Sequence, residues 1–227
     1  MPETLSEYMV RCKSEEKDLY MYYFLQEKKG ESMIIFSNAI TATRRLSSLL
    51  DFLKIKNYCL HSQMQQKQRL KNLDRFKRAV NDIESGHETP GAILVCTDVA
   101  SRGLDIPYVS NVVHYQCPYN AEIYVHRCGR TARIGRKGDS LNLLTPDDNK
   151  AFKQICQTLK KKEEALLRYE VKYNVLDKIK PLIDQAKKIE KTIHKKQSNE
   201  KEANWTLGMA REAELPLDED MQHDLAE

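Results

Sequence analysis

The hydrophobic pattern of the chain alternates between short apolar runs and longer amphipathic stretches. The apolar runs have few polar interruptions, as in strands that are buried on both faces of a sheet. These runs predict strands at 33–36, 58–60, 92–96, 109–115 and 140–144. The amphipathic stretches predict helices at 15–28, 38–54, 65–80, 121–130 and 147–160. The alternation predicts an α/β fold with three layers, in which helices cover both faces of a parallel sheet.

Polar side chains follow four of the predicted strands, at the point where each strand ends. These junctions are Ser37-Asn38, His61-Ser62, Thr97-Asp98 and Gln116. Ligands of open parallel sheets bind beyond the carboxyl ends of the strands. One polar junction shows only that a strand has ended, but four at the same edge predict a ligand site there.

The composition changes near residue 160. Residues 160–202 are rich in Lys, Glu and Gln with apolar residues at helical spacing, and Pro181 predicts one interruption. The sequence predicts a domain at 1–159, a basic helical extension at 160–202 and an acidic, partly disordered tail at 203–227. Lys and Arg number 23 in the first region, 13 in the second and 1 in the third, against 18, 8 and 7 Asp and Glu. This division is typical of a polyanion partner, although a solvated charged surface would also explain it.

Composition excludes several classes of protein. The chain has 227 residues, of which 41% are hydrophobic, and no apolar run has the length of about 18 residues that a membrane-spanning helix needs. The first residues show no signal-peptide pattern. Six cysteines occur without a Cys-x-x-Cys pair, which disfavours a zinc site and a disulfide scaffold and indicates a reducing compartment.

The segment 126–133, His-Arg-Cys-Gly-Arg-Thr-Ala-Arg, carries a cluster of arginines. On a helix, Arg127, Arg130 and Arg133 would share a stripe about 120° wide. Glu122 is the nearest acid in sequence, so we expect the three guanidinium groups to be unpaired. Guanidinium forks bind phosphate oxygens, and the cluster therefore predicts a phosphate site, with structural salt bridges as the alternative.

The segment 97–107, Thr-Asp-Val-Ala-Ser-Arg-Gly-Leu-Asp-Ile-Pro, follows a predicted strand. Its small residues allow a backbone to approach a ligand closely, although an Asx turn before a helix would have the same composition.

These two segments resemble motifs V and VI of the DEAD-box RNA helicases. Other parts of the second RecA-like domain of that family follow in order, over about residues 5–160. The matching segments are Ile34-Ile35-Phe36-Ser37-Asn38 (motif IV), Gln66-Lys67-Gln68-Arg69 (the Gln-x-x-Arg element) and Val112-Val113-His114-Tyr115 with Pro118.

The resemblance implies roles for individual residues. Arg130 and Arg133 would reach the γ-phosphate of ATP as arginine fingers, and His126 would link the two RecA-like domains. Asp105 would accept hydrogen bonds from the ribose, beside Gly103. The residues expected to line the RNA, through phosphate and sugar, are Asn38, Arg69, Thr97, Arg102 and Gly103.

The sequence departs from the family pattern at several positions. Ala132 replaces the usual glycine of motif VI, and we expect the added methyl group to cost little in a helix. Ser101 replaces alanine, and Gln116 stands where aspartate is frequent. Neither Gly-x-x-x-x-Gly-Lys-Ser/Thr nor Asp-Glu-Ala-Asp occurs in the 227 residues. By resemblance, those motifs and the Mg²⁺ ion belong to an N-terminal RecA-like domain, so we expect this chain alone to be inactive.

The C-terminal region, with Trp205 and the acidic segment 215–221, resembles the extension of a branch that acts in nucleolar assembly of the large ribosomal subunit. This resemblance implies a nuclear, nucleolar protein whose partners are pre-ribosomal RNA, single-stranded or duplex, the N-terminal RecA-like domain and ribosome-assembly factors, and no membrane. The chain is thus expected to be the C-terminal half of an ATP-dependent RNA helicase. The alternatives are a non-enzymatic RecA-like module that binds RNA or protein, and a DNA helicase of the same superfamily.

Overall fold

A computed structural model describes residues 4–101, 104–132 and 135–212. Seven strands form one sheet: β1 (Leu5–Arg11), β2 (Ser32–Ser37), β3 (Asn57–Leu60), β4 (Ala92–Thr97), β5 (Asn111–His114), β6 (Gly138–Leu144) and β7 (Leu167–Arg168). Seven α-helices accompany it: α1 (Lys17–Glu27), α2 (Ile40–Phe52), α3 (Gln66–Glu84), α4 (Asp98–Ser101), α5 (Ala121–Cys128), α6 (Asn149–Thr158) and α7 (Tyr173–Glu212). Short 3₁₀ turns lie at Ser14–Glu16, Pro146–Asp148 and Glu163–Ala165.

The strand order is β3-β4-β2-β5-β6-β1-β7, and every described pairing is parallel. The five predicted strands are therefore present in the predicted parallel sheet. The outer strands β1 and β7 are additions that the hydrophobic pattern did not reveal. Residues 5–11 of β1 pair with 138–144 of β6 in unbroken register.

Alternate residues of the central strands pack on opposite faces of the sheet. Met33 and Ile35 of β2 join a core with helices α1 and α2. Ile34 and Phe36 join a second core with α3, whose Leu73, Phe76 and Val80 are buried. Helices α5 and α6 cover Leu144 on that second face through Tyr124, Cys128, Phe152 and Ile155. The three-layer arrangement is confirmed, because each face of the sheet is sealed by helices.

The chain divides into two compact units, one ending at Ala186 and one beginning at Lys187. The first unit includes β7, which pairs with Tyr8 and Met9 of β1. Helix α7 continues through Pro181, where the sequence predicted an interruption. The predicted boundaries at 159 and 202 stay predictions based on composition.

All six cysteines are free thiols, and five of them are buried. Burial raises the pKa of the Cys12, Cys59 and Cys117 thiols to about 11. None of the helices in the described part of the chain combines the length and apolar character needed to cross a membrane.

Candidate functional site

The polar residues at the carboxyl edge of the sheet contact one another. The backbone N–H of Asn38, after β2, donates to Oε1 of Gln116, after β5, at 2.8 Å. The Asn38 side-chain amide donates to the carbonyl of Cys117 at 2.8 Å. The ends of two adjacent strands are therefore joined directly, and Gln116 accepts a hydrogen bond at the position where the DEAD-box pattern often has aspartate.

Arg127 of α5 lies at the centre of this edge and is 1% exposed. Its Nε and Nη2 donate to the two carboxylate oxygens of Asp98, each at 2.7 Å. Nη1 donates to the carbonyl of Gln116 at 2.8 Å, and Nη2 also donates to Oδ1 of Asn38 at 2.7 Å. The guanidinium group lies 5.3 Å from the ring centre of Phe36.

The expectation that Arg127 is unpaired was therefore wrong. Its partner Asp98 lies 29 residues earlier in sequence, directly after β4, and the long Arg127 side chain reaches it from α5. Because the Arg127 guanidinium group is buried and donates two hydrogen bonds to Asp98, it is not available to bind a phosphate group. Arg127 thus holds the site together, and we define the Arg127–Asp98 network as these two residues with Asn38 and Gln116.

Arg130 has a different environment, because α5 ends at Cys128 and Gly129 caps it. The segment after the cap is tied to residues 109–110 instead. Val109 N–H donates to the carbonyl of Arg130 at 3.0 Å, and the Thr131 hydroxyl donates to the carbonyls of Val109 at 2.6 Å and Ser110 at 3.0 Å. These contacts draw the chain out of the helix, so the prediction of a helix through residue 130 with three arginines on one stripe was wrong.

Ala132 follows this turn and has a φ of 56°. The expectation that its methyl group lies in a helix was also wrong, since this left-handed backbone conformation favours glycine. The neighbouring turn is closely packed, because a Cβ at Gly138 would lie 2.5 Å from the backbone nitrogen of Ala132.

We expect Ala132→Gly to stabilise the chain slightly. Relief of the left-handed conformation favours the variant by about 1–2 kcal/mol, and the greater freedom of glycine in the unfolded chain offsets about half of this. Urea denaturation should therefore show a gain of up to about 1 kcal/mol. Ala100→Gly, at a buried helical position, is the matched control and should destabilise. A loss of stability in Ala132→Gly would contradict the strain at this position.

An open cleft of about 560 Å³ lies beside Arg130. Arg130 is partly exposed, and its guanidinium group forms no ion pair or hydrogen bond with any residue that the structure describes. Asp105 and Lys77 line the same cleft, and Lys77 Nζ lies 2.8 Å from Oδ2 of Asp105. Arg136 and Glu84 form a second ion pair in the cleft wall. The Lys77 ammonium group holds the pKa of the Asp105 carboxyl below its usual range.

The remaining predicted site residues lie around this edge. His126 is exposed on α5 and lines a small recess with Arg130 and Ser101. Thr97 is buried at the end of β4. Arg69, in the first turns of α3, donates to the carbonyl of Ala100 at 3.3 Å, and its Nε is enclosed without a partner among the described residues. Arg102, Gly103 and Arg133 lie outside the described residues.

Sequence reasoning missed two residues of the site. Asp98 stood in the second motif without a role, and no signal in the sequence pairs it with Arg127. Lys77 belongs to no motif, although its position on the amphipathic helix α3, on the edge of the apolar face, could have indicated a side chain near the sheet.

The chemistry of the cleft fits part of a nucleotide. Two guanidinium groups and an ammonium group suit phosphate oxygens, and the exposed Asp105 carboxylate suits a ribose hydroxyl. Among the side chains that the structure describes, no three of His, Cys, Asp or Glu lie close enough together to hold a metal ion. The residues described here therefore fit nucleotide contacts and do not fit a magnesium site.

Residues 16–135 match the family described as the helicase conserved C-terminal domain. The chain is similar to the ATP-dependent RNA helicase DDX24 of Homo sapiens, with 43% identity over 219 residues that cover 96% of this chain and 24% of the relative. It is also similar to the ATP-dependent RNA helicase mak5 of Schizosaccharomyces pombe, with 38% identity over 217 residues that cover 96% of this chain and 32% of the relative. The chain spans about a quarter to a third of the length of these relatives.

Two solved structures share the fold. The E. coli DEAD-box protein SrmB, solved bound to regulator of ribonuclease activity A, has a TM-score of 0.62 and 27% identity, covering 74% of this chain and 91% of that chain. A DEAD-box protein from Methanococcus jannaschii has a TM-score of 0.60 and 25% identity, covering 74% of this chain and 42% of that chain. The predicted RecA-like fold is thereby confirmed. Because the family match covers more than half of the chain and its fold is that of DEAD-box proteins, the chain belongs to the helicase conserved C-terminal domain family, in its DEAD-box branch.

Proposed function

We propose that the chain is the second RecA-like domain of an ATP-dependent RNA helicase, in which it binds RNA and supplies arginine fingers for ATP hydrolysis. The observation that carries the proposal is the contrast between two arginines three residues apart. Arg127 is buried with four polar contacts, whereas Arg130 is partly exposed and unpaired among the described residues at an open cleft. Arg127 is held in place by its contacts, and the guanidinium group of Arg130, three residues later, is left able to bind a ligand with several anionic oxygens.

The proposed chemistry at the cleft is charge stabilisation. During phosphoryl transfer, negative charge is spread over the oxygens of the γ-phosphoryl group, and a guanidinium group that is already in position stabilises it without reorganisation. Arg130 fills this role, together with Arg133. Asp105 exchanges its contact with Lys77 for hydrogen bonds that it accepts from the ribose, and Gly103 is a further proposed nucleotide contact. His126, exposed beside Arg130, links to the domain across the cleft.

The proposed RNA contacts are Asn38, Arg69 and Thr97, at the carboxyl edge, together with Arg102 and Gly103. Such contacts hold phosphate and sugar, so binding has little sequence preference. Because Asn38 also accepts from Arg127, the Arg127–Asp98 network connects the RNA side to the nucleotide side. This connection gives a physical route by which RNA affects ATP hydrolysis.

The phosphate cradle and the magnesium ion are assigned to an N-terminal RecA-like domain, since their motifs do not occur in these 227 residues. Bound there, Mg²⁺ would neutralise charge on the β- and γ-phosphate oxygens. The resemblance of the C-terminal region supports a role in nucleolar assembly of the large ribosomal subunit, with pre-ribosomal RNA and assembly factors as partners.

A hybrid helicase tests this function. This chain would replace the matching segment of human DDX24, and RNA-stimulated ATP hydrolysis would be measured for the hybrid, for DDX24 without the segment and for the chain alone. We expect the hybrid to hydrolyse ATP in response to RNA, and the other two proteins to stay at background, because each lacks half of the site. Single-stranded DNA at the same salt concentration should stimulate less.

Two outcomes would overturn the proposal. One is ATP hydrolysis by the pure chain alone, and the other is a hybrid that folds, as judged by cooperative thermal unfolding, yet shows no response to RNA. The second outcome would favour the non-enzymatic module, which needs no unpaired Arg130.

A further inference from the structure

Helix α3 presents a row of basic side chains on its outer face. The inner face buries Leu73, Phe76 and Val80 against the sheet. On the other side, four exposed cations recur at intervals of four, four and three residues: Lys67, Lys71, Arg75 and Arg78. At 3.6 residues per turn these positions fall within about 80° of the helix circumference, so they form one continuous stripe. We call these four residues the α3 basic stripe.

The cations of the α3 basic stripe have no acidic partners. None of the four lies in an ion pair or hydrogen bond with any residue in the described ranges, whereas Lys77, on the neighbouring side of the same helix, is paired with Asp105. Asp74 is the one acid between residues 67 and 78, and it is also exposed. Four cations and one anion on one face give an excess of positive charge that nothing in the described fold neutralises.

The position of the stripe connects it with the carboxyl edge of the sheet. Helix α3 begins just after β3, at the edge where Asn38 and Thr97 lie, and Arg69 is in its first turns. From Lys67 to Arg78 the helix rises about 16 Å away from that edge. A strand of RNA that leaves the edge beside Arg69 can therefore continue along the stripe with its phosphates facing a row of cations.

We propose that the α3 basic stripe binds the phosphate backbone of the RNA segment that extends beyond the carboxyl edge. The inference rests on the proposed function, because it takes the edge itself to hold RNA. The four cations reach phosphates and no base edges, so the stripe adds affinity that depends on salt and not on sequence. Longer RNA is therefore bound more tightly than RNA that fills only the edge.

The test measures binding of the isolated chain to fluorescent oligouridine by anisotropy over a series of salt concentrations. One RNA has about 5 nucleotides and the other about 20, so only the longer one reaches the stripe. Lys71→Gln with Arg75→Gln removes two charges from the stripe. Lys150→Gln with Lys153→Gln removes two exposed charges from α6 and is the matched control. Asp74→Asn removes the one opposing charge.

For the longer RNA, we expect the stripe variant to bind about 10-fold more weakly and to lose about 1.4 from the slope of log K against log salt, at about 0.7 for each lost phosphate contact. Binding of the short RNA, and both RNAs with the α6 control, should be unchanged. Asp74→Asn should bind the longer RNA more tightly, which a merely damaged helix would not do.

If the stripe variant and the unaltered chain bind the longer RNA with equal affinity, the inference is wrong. An acidic protein surface would then be the better candidate for the partner of the stripe. An equal loss with the α6 control would also overturn it, since charge alone would then explain binding. An unaltered chain that binds neither RNA would contradict both the stripe and the proposed RNA site, whereas binding of both RNAs with no effect of the variant contradicts the stripe only.

Discussion

Asp98→Ala is expected to lower the free energy of unfolding of this chain by about 3–5 kcal/mol, the usual cost of removing one partner from a buried ion pair. Asp98 accepts two of the four hydrogen bonds of the Arg127 guanidinium group, which is 1% exposed. Without the carboxylate, this cation stays enclosed and keeps only the neutral acceptors Gln116 and Asn38. Urea denaturation followed by circular dichroism measures the change.

Asp105→Ala is the matched control for this substitution. Asp105 also pairs with a cation, Lys77, but its side chain is 93% exposed. Exposed ion pairs contribute little to stability because water replaces their contacts, so the control should unfold at the same urea concentration as the unaltered chain. If Asp98→Ala behaves like the control, Arg127 is not held by its buried ion pair.

The losses of stability caused by Asp98→Ala and by substitution of its partner Arg127 should not be additive. Arg127→Met removes the cation and leaves the partly exposed Asp98 able to reach water, so it should cost less than Asp98→Ala. The double variant should be no less stable than Asp98→Ala alone, because both substitutions break the same contacts. Independent, additive losses in the double variant would contradict the network.

The central sheet could be predicted because each of its strands is apolar on both faces. Met33, Ile34, Ile35 and Phe36 are all buried, and a run of this kind is visible in the sequence. Strand β1 could not be found in this way, because six of its seven residues are only partly buried or exposed. It becomes a strand by pairing with β6 more than 130 residues later, a contact that leaves no local pattern.

In the candidate site, too, groups of residues that are close in sequence could be predicted, whereas contacts between separate segments could not. The segments that contain Asn38, Asp105 and Arg130 were visible as motifs because their residues are close in sequence. The pairing of Arg127 with Asp98 and the turn at Ala132 were not visible, since both depend on contacts between separate segments. Arg127 lies in the predicted helix, but its partner Asp98 comes from another segment. After Cys128 the predicted helix gives way to hydrogen bonds with residues 109 and 110.

Arg130→Ala is expected to lower RNA-stimulated ATP hydrolysis of the hybrid helicase by about 10³-fold or more, the usual effect of removing an arginine finger. The free energy of unfolding of the chain should change by no more than about 0.5 kcal/mol, because the partly exposed Arg130 side chain forms no ion pair or hydrogen bond with the described residues. This combination separates Arg130 from Arg127, whose loss should reduce activity and stability together.

Further variants test whether Arg130 acts through its guanidinium group and at the nucleotide. Arg130→Lys keeps the charge but not the planar fork that binds two phosphate oxygens, so it should recover only a small part of the lost rate. Lys153→Ala, which removes an exposed cation on α6, should leave the rate unchanged. Binding of short RNA by the isolated chain should also be unaffected by Arg130→Ala, since Arg130 acts on the nucleotide side. If Arg130→Ala retains the rate of the unaltered hybrid, Arg130 is not the finger, and the cleft beside Asp105 is not where the γ-phosphate is stabilised.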